Sequence, residues 1–342
     1  MNHATRSRAY DRVALLEEAK LPLPELIEAA ARLLDGALPR DSVCWHAMDP
    51  ATLIETSYAV ENMPPPDARV AEFAYQAGDY NGFSELIRGP RHSAVLSEAT
   101  GGDLNRSRRY RELLSPNGVR GELRVTLVAD GSCWGCVSFF REAPHDFTAD
   151  ERDFMHGMSA VLGRAFRRSG IHARPTAPGA ELWPGVLVLG NDREIVSVTP
   201  PAVDWLQEFG YYGAPGRDPL PFEVVSLVER VRATAGDATA RVLGASGRWI
   251  QLHASPAGSG QEVAVVLQAA PSVSIEPLIS AAYGLTTRER ELIELVLQGC
   301  GTREIAERLF VSPHTVQSHL KSIFGKVGVR SRRELVGRVF AP

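Results

Sequence analysis

The clearest hydrophobic pattern lies at the C-terminal end of the chain. Thr286 with Glu289 three residues later has the form of a helix-starting capping box. Leu292, Leu295 and Val296 then fall on one helical face until Gly299 stops the run. A second, short helix is expected from Thr302, with Glu304 in its first turn and Ile305, Ala306 and Leu309 turned inward, before Val311 closes a turn. Ser312 suits the N-cap and Pro313 the first position of a third helix, because the N–H that proline lacks has no helical partner there. On that helix Val316, Leu320, Ile323 and Val327 face a core, which leaves Thr315, Gln317, Ser318 and Lys321 pointing elsewhere. Ser331 caps a fourth, with Leu335, Val336 and Val339 inward.

Upstream the periods alternate between helix and strand. An amphipathic helix over 23–34 leads into a strand over 42–48. After a helical middle, strands over 121–129 and 133–141 are joined by Asp130-Gly131, a strong hairpin signal. A helix from Thr148 then turns Phe154, Met155, Met158, Val161, Leu162 and Ala165 inward. Farther on come strands over 185–189 and 195–198, a helix carrying Ala202, Trp205 and Leu206, and strands over 240–243, 249–253 and 262–267. The fold class this implies is multidomain: two α+β units, each an antiparallel sheet with helices, followed by an all-α four-helix unit. Boundaries are expected at 1–20 (a polar N-terminal extension), 21–168, 169–180 (a linker), 181–270, 271–284 (a softer linker) and 285–342.

Charge sharpens this division. Residues 286–342 hold ten Lys and Arg against six Glu, a net +4, whereas the whole chain is −4, so residues 1–285 carry −8. From Lys321 onward, Lys326, Arg330, Arg332, Arg333 and Arg338 are opposed by Glu334 alone. Such a cluster suits phosphate contact, and a helix with short polar and cationic outward residues suits the width of the DNA major groove.

The motif from Leu285 to about Val339 includes Leu285-Thr286, Arg288-Glu289-Arg290-Glu291, Gly299, Glu304-Ile305-Ala306, Leu309, Ser312, Thr315-Val316, His319-Leu320, Ile323, Lys326, Val329, Ser331-Arg332 and Glu334-Leu335. It resembles the helix-turn-helix domain of LuxR-type transcriptional regulators. The resemblance implies base contacts by Gln317, Ser318 and Lys321, with Thr315, His319, Lys326, Arg330 and Arg332 on phosphates. Many members of that family have Lys where this chain has Gln317, whose amide suits adenine. The partners implied are double-stranded DNA, a second copy of the chain, since one short helix spans few base pairs, and RNA polymerase.

The hairpin around Asp130-Gly131-Ser132-Cys133-Trp134-Gly135, with Phe147-Thr148-Ala149-Asp150-Glu151 after it, resembles the closing elements of GAF domains. The strand order of 181–270 resembles a PAS domain. These resemblances imply a sensory role and an unidentified small-molecule ligand. Trp45, Tyr75, Tyr80, Trp134, Phe139 and Phe140 are the candidate lining of a GAF-like pocket, and Trp205 and Trp249 of a PAS-like one; filling of two cores is the alternative use of the same rings.

The remaining chemistry is sparse. Four cysteines, at 44, 133, 136 and 300, are too few for a disulfide framework. Cys133 and Cys136 have redox or metal spacing, yet lie in a predicted strand where residues three apart diverge unless the chain bulges near Gly135. Zinc lacks further ligands in sequence, and lone histidines such as His46, His92, His156 and His253 do not establish haem. No metal or cofactor is called for. No phosphate loop, nucleophile elbow, zincin motif or kinase signature occurs, so no catalytic residue and no enzyme is read. The first twenty residues lack an apolar signal-peptide core and no run approaches a bilayer span, so a cytoplasmic protein without a membrane partner is expected. A second reading is a signal-binding or interaction module that acts through a protein partner without recognising DNA directly.

Overall fold

The computed structural model describes residues 3–19, 21–64, 68–75, 78–169, 182–209, 220–258 and 262–340. The first unit comprises α1 (His3–Ala14), α2 (Leu23–Leu34), β1 (Ser42–Met48), β2 (Glu55–Glu61), α3 (Ala68–Tyr75), α4 (Phe83–Arg88), β3 (Ser93–Val95), α5 (Leu96–Ala99), β4 (Val119–Ala129), β5 (Ser132–Glu142) and α6 (Ala149–Ser169). The second comprises β6 (Gly185–Leu189), β7 (Ile195–Val198), α7 (Pro200–Gln207), α8 (Phe222–Thr234), β8 (Ala238–Leu243), β9 (Trp249–Ala257) and β10 (Glu262–Ala269). Helices α9 (Ser272–Ala282), α10 (Thr287–Leu297), α11 (Thr302–Arg308), α12 (Pro313–Val327) and α13 (Arg332–Phe340) complete the chain.

Each α+β unit holds a five-stranded antiparallel sheet, and the two share one order: β2-β1-β5-β4-β3 and β7-β6-β10-β9-β8. The β4–β5 hairpin turns through Asp130 and Gly131, both at positive φ (50° and 76°), the pair of left-handed residues that matches strand twist. Next to it β5 bulges. Leu127 pairs with Gly135 and Val128 with Cys133, which leaves Trp134 as the extra residue. Gly135 is required there, since a Cβ would stand 2.6 Å from the His46 carbonyl oxygen.

Strand parity sorts the first unit's side chains. Val43, Trp45, Val137 and Phe139 lie in the core under α2 and α6, while Cys44 and Phe140 join a separate cluster on the other face. Trp45 stacks on Phe166 of α6 at 6.0 Å and meets Phe139 edge-on at 5.8 Å.

Several boundaries differ from the sequence expectation. The N-terminal extension packs on the first unit: Ala9 and Val13 are buried, and the Arg6 guanidinium donates to the Asp150 carbonyl at the start of α6. The segment 271–284, expected to link, is mostly helix α9. Pro271 and Pro277 disguised it, but Ile275, Leu278 and Ala282 form a buried stripe. Strands β2 and β3 and helix α8 were not anticipated. Helix α8 is buried from Phe222 through Glu229 and again at Val231, because it sits between the second sheet and the first unit's α3 and β2. The linker expected over 169–180 falls, apart from Ser169, outside the described residues, as does the Val339 side chain. Among the described residues no helix is long and apolar enough to cross a membrane.

Candidate nucleic-acid interface and cavity

Helix α10 opens with the expected capping box: the Glu289 N–H donates to the Thr286 hydroxyl at 3.3 Å and the Thr286 N–H to the Glu289 carboxylate at 2.8 Å. That carboxylate also accepts from Lys326 Nζ at 2.6 Å and from the Ser322 hydroxyl at 2.7 Å, which ties α12 to the start of α10. Burial alone would raise the Glu289 pKa, but the hydrogen bonds from Lys326, Thr286 and Ser322 outweigh it and bring it to about 2. A carboxyl depressed on folding contributes stability in full above its unfolded value, near 4.5, and loses it as pH falls through the folded value. Glu289→Gln is therefore expected to destabilise the C-terminal unit by on the order of 2–3 kcal/mol near neutrality. Denaturant unfolding at a series of pH values should show the difference from wild type vanishing near pH 2; a constant difference contradicts this role.

Helix α12 is fixed at both ends. The Thr315 N–H donates to the Ser312 hydroxyl at 3.1 Å, and Gly328 ends the helix at φ 74°, in the left-handed region that suits glycine. Val316, Leu320, Ile323 and Val327 are buried, so Gln317, Ser318 and Lys321 lie exposed on the outer side. Gln317 Nε2 reaches the Thr302 hydroxyl at 3.3 Å, the Thr315 and Ser312 hydroxyls are 2.8 Å apart, and His319 is half-buried.

The basic residues expected on phosphates divide into two kinds. Arg330 is exposed. Lys326, by contrast, is held by Glu289 and the Gly284 carbonyl, and Arg332 donates to the carbonyls of Cys300 and Val296, satisfying the C-terminal end of α10. Both side chains are thus engaged inside the domain. One feature escaped the sequence reading: Phe310, between α11 and α12, has φ 54° and is 95% exposed. Nothing local in the sequence marks an aromatic residue for the left-handed region.

The first unit holds a cavity of about 280 Å³ between the sheet face opposite α6 and a cover from α3, Phe83 and the π-helical turn Tyr110–Leu114. Cys44, His46, Glu55, Glu122, Arg124 and Ser138 supply its polar floor. Glu122 accepts from Arg109 at 2.6 and 3.1 Å and from Arg124 at 3.1 Å, and the Arg124 guanidinium lies 4.5 Å from the Phe83 ring centre. Burial opposes the Glu122 charge, yet the two guanidinium groups outweigh it and hold the carboxyl below its usual range. Beside this cluster, burial and then Arg124 push His46 down to about 3, while burial lifts Glu55 to about 7 against the pull of Arg124. His46 Nε2 lies 3.0 Å from Cys44 Sγ, whereas His46 Nδ1 and Glu55 Oε2, 3.6 Å apart, lack hydrogen-bond partners among the described residues. At neutral pH the floor presents an uncharged imidazole, a carboxyl near its midpoint and a compensated ion cluster.

Of the aromatic residues expected to line this cavity, Phe140 does and Trp45, Tyr75, Tyr80, Trp134 and Phe139 do not. Trp45 and Phe139 face the α6 core, because Cys44, His46 and Phe140 have the strand parity that points into the cavity. Trp205 is fully buried in the second unit's core, its indole N–H donating to the Trp183 carbonyl at 2.9 Å. Trp134 and Trp249 line a different space, between the units. The bulge at Trp134 does bring Cys133 and Cys136 to one face, where both are buried with Met48, Phe83 and Leu86. Burial pushes the Cys133 thiol up to about 12 and that of Cys136 well above its ordinary value, which leaves both protonated and unreactive. Among the described residues no group of three His, Cys, Asp or Glu is placed to hold a metal ion.

Residues 284–339 match the family described as bacterial regulatory proteins, luxR family. Over 52 residues the chain is 50% identical to an HTH-type transcriptional regulator of Mycobacterium tuberculosis and 48% identical to the oxygen regulatory protein NreC of Staphylococcus aureus. These matches cover 15% of this chain and only 6% and 24% of the two relatives. Similar solved structures include the GAF domain of an Acinetobacter phosphoenolpyruvate-protein phosphotransferase, at 12% identity and TM-score 0.35, covering 48% of this chain and 94% of that one. Another is a bacteriophytochrome of R. palustris, at 12% identity and TM-score 0.34, covering 79% of this chain and 63% of that one. With α10 to α13 placed as described, residues 284–339 constitute a helix-turn-helix domain of the luxR family.

Proposed function

We propose that this chain is a cytoplasmic, sequence-specific DNA-binding transcriptional regulator that acts as a homodimer and is controlled by its GAF-like and PAS-like units. The observation that carries the reading is the outer side of α12, where Gln317, Ser318 and Lys321 stand exposed on a helix whose other side is wholly buried. An amide, a hydroxyl and an ammonium in that array match the donors and acceptors of base edges, while Arg330, with Thr315 and His319, lies close enough in sequence to reach phosphates. The regulatory half rests on the cavity of the first unit, whose floor is polar and whose walls are apolar. The shared strand order of the two sheets supports a PAS-like second unit.

Affinity of the full chain for duplex DNA, measured at several salt concentrations, tests the reading. Binding that falls steeply and log-linearly with salt is expected. Affinity that is absent, or indifferent to salt, contradicts it. The exposed ring of Phe310 favours a second reading, in which the same domain docks on a protein partner such as RNA polymerase. Loss of polymerase binding in Phe310→Ser, with duplex binding absent in wild type, is the result that would favour it.

A further inference from the structure

The floor of the first unit's cavity keeps two hydrogen-bonding groups in reserve. Cys44 of β1, Ser138 of β5 and Arg124 of β4 stand directly opposite one another in a cross-strand row, and all three line the cavity. Arg124 uses Nε on Glu122 at 3.1 Å and Nη1 on the Asn81 carbonyl at 3.4 Å, while Nη2 has no hydrogen-bond partner among the described residues. The Ser138 hydroxyl has none there either, and neither atom is shut off from solvent. Since Arg124 and Ser138 are only 6% and 4% exposed, the surface that Nη2 and Oγ retain opens on the cavity they line.

These two groups select an acceptor, and a charged one. A guanidinium nitrogen only donates, and a hydroxyl can donate beside it. Glu122, the carboxylate that Arg124 pairs with, also accepts two bonds from Arg109. Burial, followed by repulsion from Arg109, disfavours the Arg124 charge by more than Glu122 restores, so a second anion at Nη2 is stabilising. The Phe83 ring, 4.5 Å from the guanidinium carbon, holds that group in place. Glu55 on the same floor is near its midpoint at neutral pH, so an entering anion shifts it toward the protonated form instead of meeting a fixed negative charge. Val70, Ala74, Leu114 and Phe140 supply apolar walls.

We infer that this cavity binds a small apolar carboxylic acid as its anion, the carboxylate accepting from Arg124 Nη2 and Ser138 Oγ and the apolar body lying against Val70, Ala74, Leu114 and Phe140. The inference rests on the reading of this cavity as the regulated one and names the class of its ligand.

Isothermal titration of the full chain with octanoate and with phenylacetate, each beside its primary amide, is the experiment. Saturable binding of at least one acid, tighter than its amide, is expected. Arg124→Lys keeps the charge and removes Nη2, and should weaken binding by roughly tenfold or more; Ser138→Ala removes one uncharged donor, and should weaken it by about three- to tenfold. Ser138→Ala breaks no hydrogen bond of the folded chain, so its melting temperature should match that of wild type, and it carries the test should Arg124→Lys fail to fold. Trp134→Phe, in the space between the units, should leave the affinity unchanged. Lack of binding by either acid at millimolar concentration overturns the inference, as does an amide that binds as tightly as its acid or wild-type affinity in both floor variants. Duplex affinity measured with and without the acid separates the site from its regulatory reading: an acid that binds and leaves duplex affinity unchanged upholds the site and removes the regulation, whereas intact duplex binding with no bound acid removes the site alone.

Discussion

Lys321→Glu is expected to abolish specific duplex binding by the full chain while leaving its melting unchanged. Lys321 is exposed on the outer side of α12, beside Gln317 and Ser318, so the substitution creates no cavity and breaks no buried contact. Surface changes of that kind normally alter stability by no more than about 0.5 kcal/mol. At the DNA the effect is far larger. One favourable contact is lost and a negative charge is brought against the phosphates, so affinity should fall by at least about a hundredfold and the salt dependence should flatten by roughly one to two counterions. Ile305→Asp provides the contrast: Ile305 is fully buried, and an unpaired carboxylate there should remove binding and folding together. Retained affinity in Lys321→Glu, with melting unchanged, would show that α12 is not the reading helix.

The second large effect is expected at the junction of the units. Asp49, at the end of β1, accepts from the side chain and the backbone N–H of Arg241 on β8, while Arg241 also donates to the Ser274 carbonyl in α9. One guanidinium thus holds together the first unit, the second unit and the helix that enters the DNA-binding domain. Asp49→Ala leaves that cation buried without a counter-ion, a situation that typically costs about 3–5 kcal/mol. Arg241→Leu alone should also destabilise the junction, and the double variant should lose much less than the sum of the two. Denaturant unfolding followed by tryptophan fluorescence reads all three, and additivity in that cycle would show that the pair is not coupled. The inter-unit α3–α8 packing should survive in either single variant, since it rests on apolar contact through buried Val and Leu residues of α8.

How far the sequence discloses this architecture follows from the range of the interactions involved. The helix-turn-helix was legible nearly to the residue because its determinants are local: the Thr286–Glu289 box, Ser312 before Pro313, and a stripe from Val316 to Val327. The β4–β5 hairpin was legible for the same reason, through Asp130-Gly131. The cavity in the first unit was not. Its lining depends on which parity of β1 and β5 faces the cover, and the largest aromatic residues, Trp45 and Phe139, drew attention to the wrong face. Its ionic floor joins Arg109, Glu122 and Arg124, two of them from β4 and the third from the helical turn thirteen residues before Glu122. Helix α8 escaped because a helix packed on two sides shows little amphipathic period, and α9 because Pro277 reads as an interruption. The engagement of Lys326 and Arg332 within the domain likewise depends on partners, Glu289 and the α10 carbonyls, that only the folded arrangement brings near.

The most direct test of the central claim is selection of bound duplexes from a randomised DNA pool by the full chain at near-physiological salt. Enrichment of a two-fold symmetric site, with half-sites about one helical turn apart, is the expected result for a homodimer that places one α12 in each major groove. A pool that remains random after repeated rounds would contradict sequence-specific recognition by this chain.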